Sequence, residues 1–282
     1  MKPTKVQLGV LALKERVAFR IAAFLNGPLK LIMMVWNCIV SGGVVMLCVA
    51  RRLRIDGLDK LQAYRGDQSL ILVSNHRSYF DFYVIGTLSL WRTWNTKRLV
   101  FPVRSTFFYD NPIGTLVNLL VAGMAMYPPI MRKGEKRPFN DFAMDWVTRE
   151  LNEKSMLVGI HPEGRRSKDS DPYTLMRPRP GVGRLTMGAQ NAKVLPIFIL
   201  GLSNRMGHEA KLNWFGPRGH EIDVVIGDPI DFSDMAELPH TRENHILAAE
   251  RCMKAVEALG ERQREIAAAR QAEAAARKVA FS

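Results

Sequence analysis

Residues 69–81, Ser-Leu-Ile-Leu-Val-Ser-Asn-His-Arg-Ser-Tyr-Phe-Asp, decide the fold of this chain. The first six form a short apolar run that predicts a buried strand. Residues 80–91 then have the pattern of a helix. In proteins that alternate strands and helices, ligands bind where the end of a strand runs into a helix. His76 lies at that junction, and Asp81 follows five residues later.

The spacing of His76 and Asp81 has chemical meaning only in one local structure. Positions five apart in a regular helix point about 140° away from each other, so His76 must precede the helix and Asp81 must lie in its first turn. Asp81 would then hold one imidazole nitrogen while the other takes a proton from a hydroxyl group. A structural role is the alternative, because Ser78 and Asp81 also have the spacing of a helix cap.

The rest of the chain predicts an α/β fold, with a mixed, mostly parallel central sheet flanked by helices. Further strand candidates are residues 98–103, 124–130, 156–160, 194–200 and 221–226. Helix candidates lie between them, at residues 112–122, 140–152 and 183–191. After Phe232 the chain turns helical to its end, and we assign this last part no chemistry.

The first 54 residues predict two helices joined by a tight turn. Residues 5–25 carry an apolar side chain every three or four positions with basic residues between them, as in a helix that lies on anionic headgroups. Asn26-Gly27-Pro28 breaks the chain. Residues 31–50 are apolar and uncharged, and would form a helix of roughly 30 Å, about the thickness of the hydrocarbon core of a bilayer.

Three arrangements of this apolar run stay open: a monotopic or re-entrant anchor, a single span, and a buried helix of a soluble protein. Ser41-Gly42-Gly43 permits a bend, which favours the first arrangement. Basic residues on both sides leave the orientation undecided. The run starts too late for a signal peptide and lacks a small-residue cleavage site.

The charge of the chain predicts an anionic partner. Its 282 residues carry a formal net charge of +13, which suits a nucleic acid, an anionic membrane surface or a phosphorylated substrate. No recognised nucleic-acid-binding motif is present, so nucleic acid is not expected. Cys38, Cys48 and Cys252 form no C-x-x-C pair. We therefore expect neither a disulfide framework nor a zinc site, and a main domain that faces a reducing compartment.

A second polar cluster, residues 161–167 (His-Pro-Glu-Gly-Arg-Arg-Ser), also follows a predicted strand. Two arginines beside a glycine can hold a phosphate group through their guanidinium groups and the loop backbone. A basic surface loop would have the same composition, so this cluster alone decides nothing.

Together, the two clusters make the chain similar to the glycerophospholipid acyltransferase family, typified by 1-acyl-glycerol-3-phosphate acyltransferase. The resemblance covers about residues 55–230 and rests on four motifs in a fixed order. The family pattern N-H-x4-D is matched by Asn75, His76 and Asp81, a strand ending in arginine by Arg132, F-P-E-G-T-R-S by residues 161–167, and a valine-proline pair by Leu195 and Pro196.

The chain departs from the family pattern at three positions. His161 stands where the family has an aromatic residue, and Arg165 where it has threonine. A family lysine that precedes a glycine is replaced by Arg179, ahead of Pro180-Gly181. The additional positive charge of Arg165 leaves the identity of the acceptor open.

The resemblance implies transfer of a fatty acyl group from acyl-CoA or acyl carrier protein to the hydroxyl of a lysophospholipid, above all 1-acyl-glycerol-3-phosphate. It implies His76 as general base and Asp81 as its orienting residue, without a covalent acyl-enzyme, a metal or a cofactor. The sequence contains no G-x-S-x-G nucleophile motif, in agreement. The residues implied on the phosphate side are Arg132, Glu163, Gly164, Arg165 and Arg166, supported by Asn75, Ser167 and Pro196.

Two other functions stay open: an acyltransferase for another lyso-lipid, amino-acid lipid or glycolipid acceptor, and a non-catalytic basic protein that binds membrane. The His76–Asp81 pair counts against the second, because a binding module needs neither residue. We expect a membrane-associating two-helix anchor at 1–54, a catalytic domain at 55–235 and a C-terminal helical extension at 236–282. The catalytic domain is expected on the cytoplasmic face of a membrane, the bacterial inner membrane.

Overall fold

The computed structural model describes residues 1–64, 68–93, 98–217 and 219–280, which form a central sheet with helices on both faces. The strands are β1 (Leu53–Asp56), β2 (Ser69–Ser74), β3 (Leu99–Val100), β4 (Val103–Arg104), β5 (Pro129–Ile130), β6 (Leu157–Ile160), β7 (Ala192–Leu200) and β8 (Ile222–Ile226). The helices are α1 (Lys5–Gly9), α2 (Leu13–Asn26), α3 (Lys30–Trp36), α4 (Gly42–Val49), α5 (Leu58–Gln62), α6 (Asp81–Thr93), α7 (Ser105–Phe108), α8 (Pro112–Ala122), α9 (Arg137–Glu153), α10 (Pro180–Gly188), α11 (Met206–Phe215) and α12 (Arg242–Ala280).

The sheet has six strands in the order β1-β8-β7-β2-β6-β3, and β4 and β5 form a separate parallel pair. β2 is parallel to both of its neighbours, β6 and β7, while β7 and β8 are antiparallel. The predicted fold class, a mixed and mostly parallel sheet flanked by helices, is confirmed. The C-terminal ends of β2 and β6 meet at one edge, since Val73 is paired with Ile160.

β2 lies at the centre of the protein, and all six of its residues are buried. Ile71 and Val73 pack into a core on one face of the sheet, which α2, α9, α10 and α12 complete. Leu70 and Leu72 pack into the opposite core, with α4 and α6. Burial on both faces explains why this strand is continuously apolar instead of alternating with polar residues.

Two of the predicted strands are wrong in extent. Residues 98–103 form two strands of two residues each, β3 and β4, which belong to different sheets. Of residues 124–130 only Pro129–Ile130 is a strand. Met124 has a φ of 57°, outside the extended region, and prolines 128 and 129 have no backbone N–H to pair.

Other element boundaries also differ from the prediction. β1 lies between the predicted anchor and catalytic domain, and pairs with β8 in parallel. Residues 183–191 were predicted as a helix, but α10 begins earlier, with Pro180 in its first turn, and ends at Gly188. Proline suits that position because the first helical N–H has no partner within the helix.

α2 packs with one face in the same core as the sheet. Phe19 is 3% exposed, and its ring meets that of Phe139 edge to face at a centroid distance of 5.0 Å. The carboxylate of Glu15 forms a buried ion pair with Lys136, whose Nζ lies 2.5 Å from Oε1. Asn26 donates from Nδ2 to the carbonyl oxygen of Met124 at 2.8 Å. The division of the chain at residue 54 stays a prediction.

Residues 30–49 form one helix that continues through a π-helical turn at Asn37–Ser41. Its inner face carries polar side chains, and Lys30, Asn37 and Ser41 are all buried. Its outer face is apolar, with Leu31 75% and Ile39 69% exposed. Among the described residues this is the one helix long and apolar enough to cross a membrane, and 39% of it is buried against the protein.

Candidate active site

The loop that carries His76 connects the end of β2 at Ser74 to the start of α6 at Asp81. Asn75, fully buried in this loop, donates from Nδ2 to the carbonyl oxygen of Ile199 and accepts at Oδ1 from the amide of Ile199, both at 2.8 Å. Its side chain thus continues the pairing of β2 with β7 beyond the end of the strand. The backbone next to His76 is held by the sheet itself.

The side chains of His76 and Asp81 meet, as the local geometry requires. Nδ1 of His76 lies 3.2 Å from Oδ2 of Asp81. The same oxygen accepts hydrogen bonds from the backbone amides of Arg77 and Ser78, each at 2.7 Å. Asp81 therefore does both things considered from the sequence: it stabilises the turn before the helix, and it contacts the imidazole.

The environment of this pair favours the forms needed for proton transfer. Burial lowers the pKa of His76 to about 3, and the positive charge of Arg166 adds to this effect. Burial raises the pKa of Asp81 to about 6, against the opposing effects of His161 and of the two backbone hydrogen bonds. Near neutral pH the imidazole is uncharged and the carboxylate is ionised. With Nδ1 turned to Asp81, Nε2 is the nitrogen that can accept a proton.

His161 lies beside His76 because β2 and β6 are neighbouring parallel strands. The two imidazole rings are stacked, with centroids 4.0 Å apart and planes within 3° of each other. Nδ1 of His161 lies 3.0 Å from Oγ of Ser74 and 3.2 Å from its carbonyl oxygen. Within the described part of the chain, the buried Nε2 of His161 has no hydrogen-bond partner.

Glu163 and Ser167 connect the two loops. Glu163 is 1% exposed; it accepts from the amide of His76 at 2.9 Å and from the amide of Met176 at 3.0 Å, with one oxygen for each. Ser167 donates from its amide to the carbonyl oxygen of His76 at 2.8 Å. A carboxylate would repel a phosphate, so the structure supports a positioning role for Glu163 and no contact with the acceptor.

Four arginines gather around Gly164, and we name them the arginine cluster: Arg104, Arg132, Arg165 and Arg179. A Cβ atom built on Gly164, whose φ is +64°, would lie 3.1 Å from Cγ of Arg179 and 3.8 Å from Nη2 of Arg104. Burial lowers the pKa of Arg104, and the charges of the other three members lower it further. Within the described ranges no member forms an ion pair with a carboxylate.

Arg166 stands apart from this cluster. Its guanidinium carbon lies 3.6 Å from the centroid of the Tyr79 ring, and Nη1 donates to Oδ1 of Asn204 at 3.1 Å. Its charge affects His76 and Asp81 instead of Arg104. The sequence groups Arg132, Arg165 and Arg166 as one phosphate site, whereas the structure puts Arg166 on the side of the histidine.

Pro196 and Arg104 show what the sequence motifs capture and what they miss. Pro196 is buried in β7 opposite Val73, three residues before the Ile199 that holds Asn75. It thus supports the site from within the sheet. Arg104 was not predicted as a site residue, although it directly follows the predicted strand 98–103.

The described residues contain no group of three His, Cys, Asp or Glu side chains that could hold a metal ion.

The family model for acyltransferases matches residues 52–200 of the chain. Eight chains of solved structures match. One is the 1-acyl-sn-glycerophosphate (LPA) acyltransferase PlsC from Thermotoga maritima, at 16% sequence identity and a TM-score of 0.49, over 88% of this chain and 94% of that one. No curated protein matches the sequence.

The segment that the family model matches contains β2, β6 and β7. It includes the His76–Asp81 pair, residues 161–167 and every member of the arginine cluster. It also spans more than half of the 282 residues. The chain therefore belongs to the acyltransferase family.

Proposed function

We propose that this protein is a membrane-associated O-acyltransferase that makes phosphatidic acid. The acyl group comes from the thioester of acyl-CoA or acyl carrier protein, and the acceptor is the free hydroxyl of 1-acyl-glycerol-3-phosphate. No cofactor or metal takes part, and nucleic acid is not a partner. The proposal goes beyond membership of the family, which by itself names neither acceptor nor donor.

One observation carries the proposal: a neutral imidazole held by a carboxylate lies on a loop that is joined to the loop of Gly164, beside arginines that have no carboxylate partner among the described residues. Nδ1 of His76 lies 3.2 Å from Asp81, and Glu163 joins the His76 loop to the loop of Gly164. The His76–Asp81 pair suits deprotonation of a hydroxyl. The arginine cluster suits a phosphate, because one guanidinium group can bind two phosphate oxygens.

The reaction then needs only the residues of this chain and the two substrates. Nε2 of His76 takes the proton of the acceptor hydroxyl while the hydroxyl oxygen attacks the thioester carbonyl carbon. The new C–O bond forms, the C–S bond breaks, and the proton passes from His76 to the leaving sulfur. Asp81 stabilises the imidazolium that exists between these steps. The arginine cluster holds the phosphate, which places the hydroxyl near His76.

The test of this function is an acyl-transfer assay on the full-length protein in membranes, with both donors and a panel of lyso-acceptors. We expect 1-acyl-glycerol-3-phosphate to be the best acceptor. His76→Ala should lower kcat by about 10²–10⁴-fold, because it removes the general base. His208→Ala is the matched control, since His208 is an exposed histidine on α11, outside residues 75–81 and 161–167. Full turnover in His76→Ala would contradict the proposed mechanism.

Membrane association is supported by apolar side chains that face outward on three neighbouring helices. The exposed residues of α2 are spaced along one face, and those of the 30–49 helix and of α8 continue the surface. Trp36 connects the last two by donating from Nε1 to the carbonyl oxygen of Leu120 at 2.8 Å. We name this the outer apolar surface: Leu13, Val17, Ile21 and Phe24; Leu31, Val35, Ile39 and Leu47; Ile113, Leu116 and Leu120.

A monotopic arrangement fits this surface best. The inner face of the 30–49 helix packs on the protein with polar residues such as Asn37 and Ser41 beside apolar ones such as Val45 and Val49, while its exposed face is apolar, unlike that of a soluble surface helix. Lys14 and Arg20 on α2 would contact anionic headgroups. In this arrangement the catalytic domain stays on one face of the membrane, which we place on the cytoplasmic side of the bacterial inner membrane.

Co-sedimentation with anionic phospholipid vesicles tests the membrane surface. A Val17→Glu, Ile21→Glu double variant should lose most vesicle binding, since two exposed apolar side chains of the outer apolar surface would be replaced by charges that anionic headgroups repel. Leu247→Glu is the control, because Leu247 is 54% exposed on α12, outside the outer apolar surface. Unchanged binding of the double variant would exclude α2 from the membrane contact.

A further inference from the structure

His161 has no part in the proposed mechanism, yet its ring is stacked on that of His76. The two rings lie parallel at 4.0 Å, and His161 is itself held through Nδ1 by Ser74. The contact depends on the sheet: Ser74 ends β2, and His161 follows the last residue of the neighbouring β6. Strand pairing thus fixes where His161 lies.

We propose that His161 is a positioning residue for acyl transfer, whose flat ring, placed against His76 by the pairing of β6 with β2, fixes the ring plane of His76. This inference rests on the proposed function, in which His76 is the general base. It assigns a role to the one position of residues 161–167 where the chain has a histidine in place of an aromatic residue.

The hydrogen bond to Asp81 cannot orient His76 by itself. It fixes the position of one ring atom, Nδ1, and leaves the ring free to tilt about that contact. A second planar ring packed face to face removes this freedom, because any tilt would break contact over the whole stacked area. Together the two contacts determine where Nε2 points. A general base needs that direction to be fixed within hydrogen-bonding geometry of the hydroxyl.

The chemistry of His161 suits a neutral flat surface. Burial, with a smaller contribution from the neighbouring His76, lowers its pKa to about 3. His161 therefore carries no charge that would oppose the protonation of His76 during the reaction. Its Nε2, without a partner in the described part of the chain, contributes no hydrogen bond that a phenyl ring would lose. The proposed role therefore depends on the flat ring of His161 and not on its Nε2.

The experiment compares three substitutions at this position in the full-length protein. His161→Phe keeps a flat ring and should retain a kcat close to that of the wild type. His161→Leu removes the flat ring at similar apolar volume and should lower kcat by about 10–100-fold, as expected for a misplaced catalytic group. The KM values for acceptor and donor should stay nearly unchanged in both. If the leucine variant does not fold, His161→Met provides the same test, since methionine adapts to irregular spaces.

The double variant His76→Ala, His161→Leu distinguishes positioning from other roles. A residue that acts through His76 can do nothing once His76 is absent, so the second substitution should not lower the residual rate further. A further loss in that background would overturn the inference, and so would a wild-type kcat in His161→Leu. If His76→Ala itself keeps full turnover, it is the proposed function that fails.

Discussion

The two halves of the site, the His76–Asp81 pair and the arginine cluster, differ in whether their charges are compensated within the protein. Around His76, the carboxylates of Asp81 and Glu163 are hydrogen-bonded within the protein, and the imidazole is uncharged near neutral pH. In the arginine cluster, four positive side chains lie close together without a carboxylate partner among the described residues. In the proposed function, the phosphate of the acceptor supplies the negative charge that the arginine cluster lacks.

This difference separates the two tasks of a transferase that uses a phosphorylated acceptor. A general base must be held rigidly and must be uncharged before the reaction, which requires internal hydrogen bonds and exclusion of water. A binding site gains affinity from charges that the free protein leaves uncompensated, because the ligand relieves their repulsion. The comparison predicts that changes near His76 act on kcat, while changes in the cluster act on the acceptor KM.

Asp81→Asn should have the largest effect of any substitution in the two halves, a loss of about 10²–10⁴-fold in kcat. The asparagine oxygen can still accept from the amides of Arg77 and Ser78, so the turn should stay folded. It cannot stabilise an imidazolium as a carboxylate does. Steady-state kinetics with saturating substrates measures this loss.

The same variant should not lose stability at pH 7. The folded protein raises the pKa of Asp81 from 3.8 to about 6 through burial, so the stability that the protonated carboxyl contributes is present below pH 3.8 and is lost as the pH rises through 6. Above pH 6 the native state holds a buried ionised carboxylate, and an amide relieves that cost. A lower Tm with little loss of kcat would show that Asp81 serves only the turn.

Arg104→Ala tests the other half of the site, the arginine cluster. Removing one guanidinium from the cluster should raise the acceptor KM by about 10–100-fold, the size expected for a charge-assisted hydrogen bond, and should leave the donor KM unchanged. Arg132→Ala should act in the same direction. Arg149→Ala is the control, since Arg149 pairs with Glu153 on the surface of α9. Equal losses on acceptor and donor would mean that Arg104 supports the fold and does not bind phosphate.

The smallest effect is on the pH dependence of kcat, which should differ between the two halves. Below pH 6, protonation of Asp81 should lower kcat by about tenfold per pH unit, while His76, with a pKa lowered to about 3, stays neutral. The arginines do not titrate in this range. Acceptor must be saturating, because its phosphate itself titrates near pH 6. The acidic limb should disappear in Asp81→Asn, and its persistence there would assign it to another group.

Local features of the site could be predicted from the sequence because they depend on neighbours in the chain. The apolar run 69–74 determines a strand buried on both faces, and the polar residues after it determine the turn that brings His76 to Asp81. The break at Asn26-Gly27-Pro28 and the start of α8 at Pro112 are equally local. In each case backbone conformation and periodicity act within a few residues, so the pattern is sufficient.

Only the tertiary structure decided which of these segments are neighbours. The stack of His161 on His76 depends on β6 pairing with β2, and Arg104 joins the cluster because the 98–103 segment divides into two strands of different sheets. The 30–49 helix is mostly apolar in sequence. Packing places its polar residues Lys30, Asn37 and Ser41 on the inner side, and the exposed side is apolar. Such arrangements follow from the packing free energy of residues far apart in the chain, which local patterns do not contain.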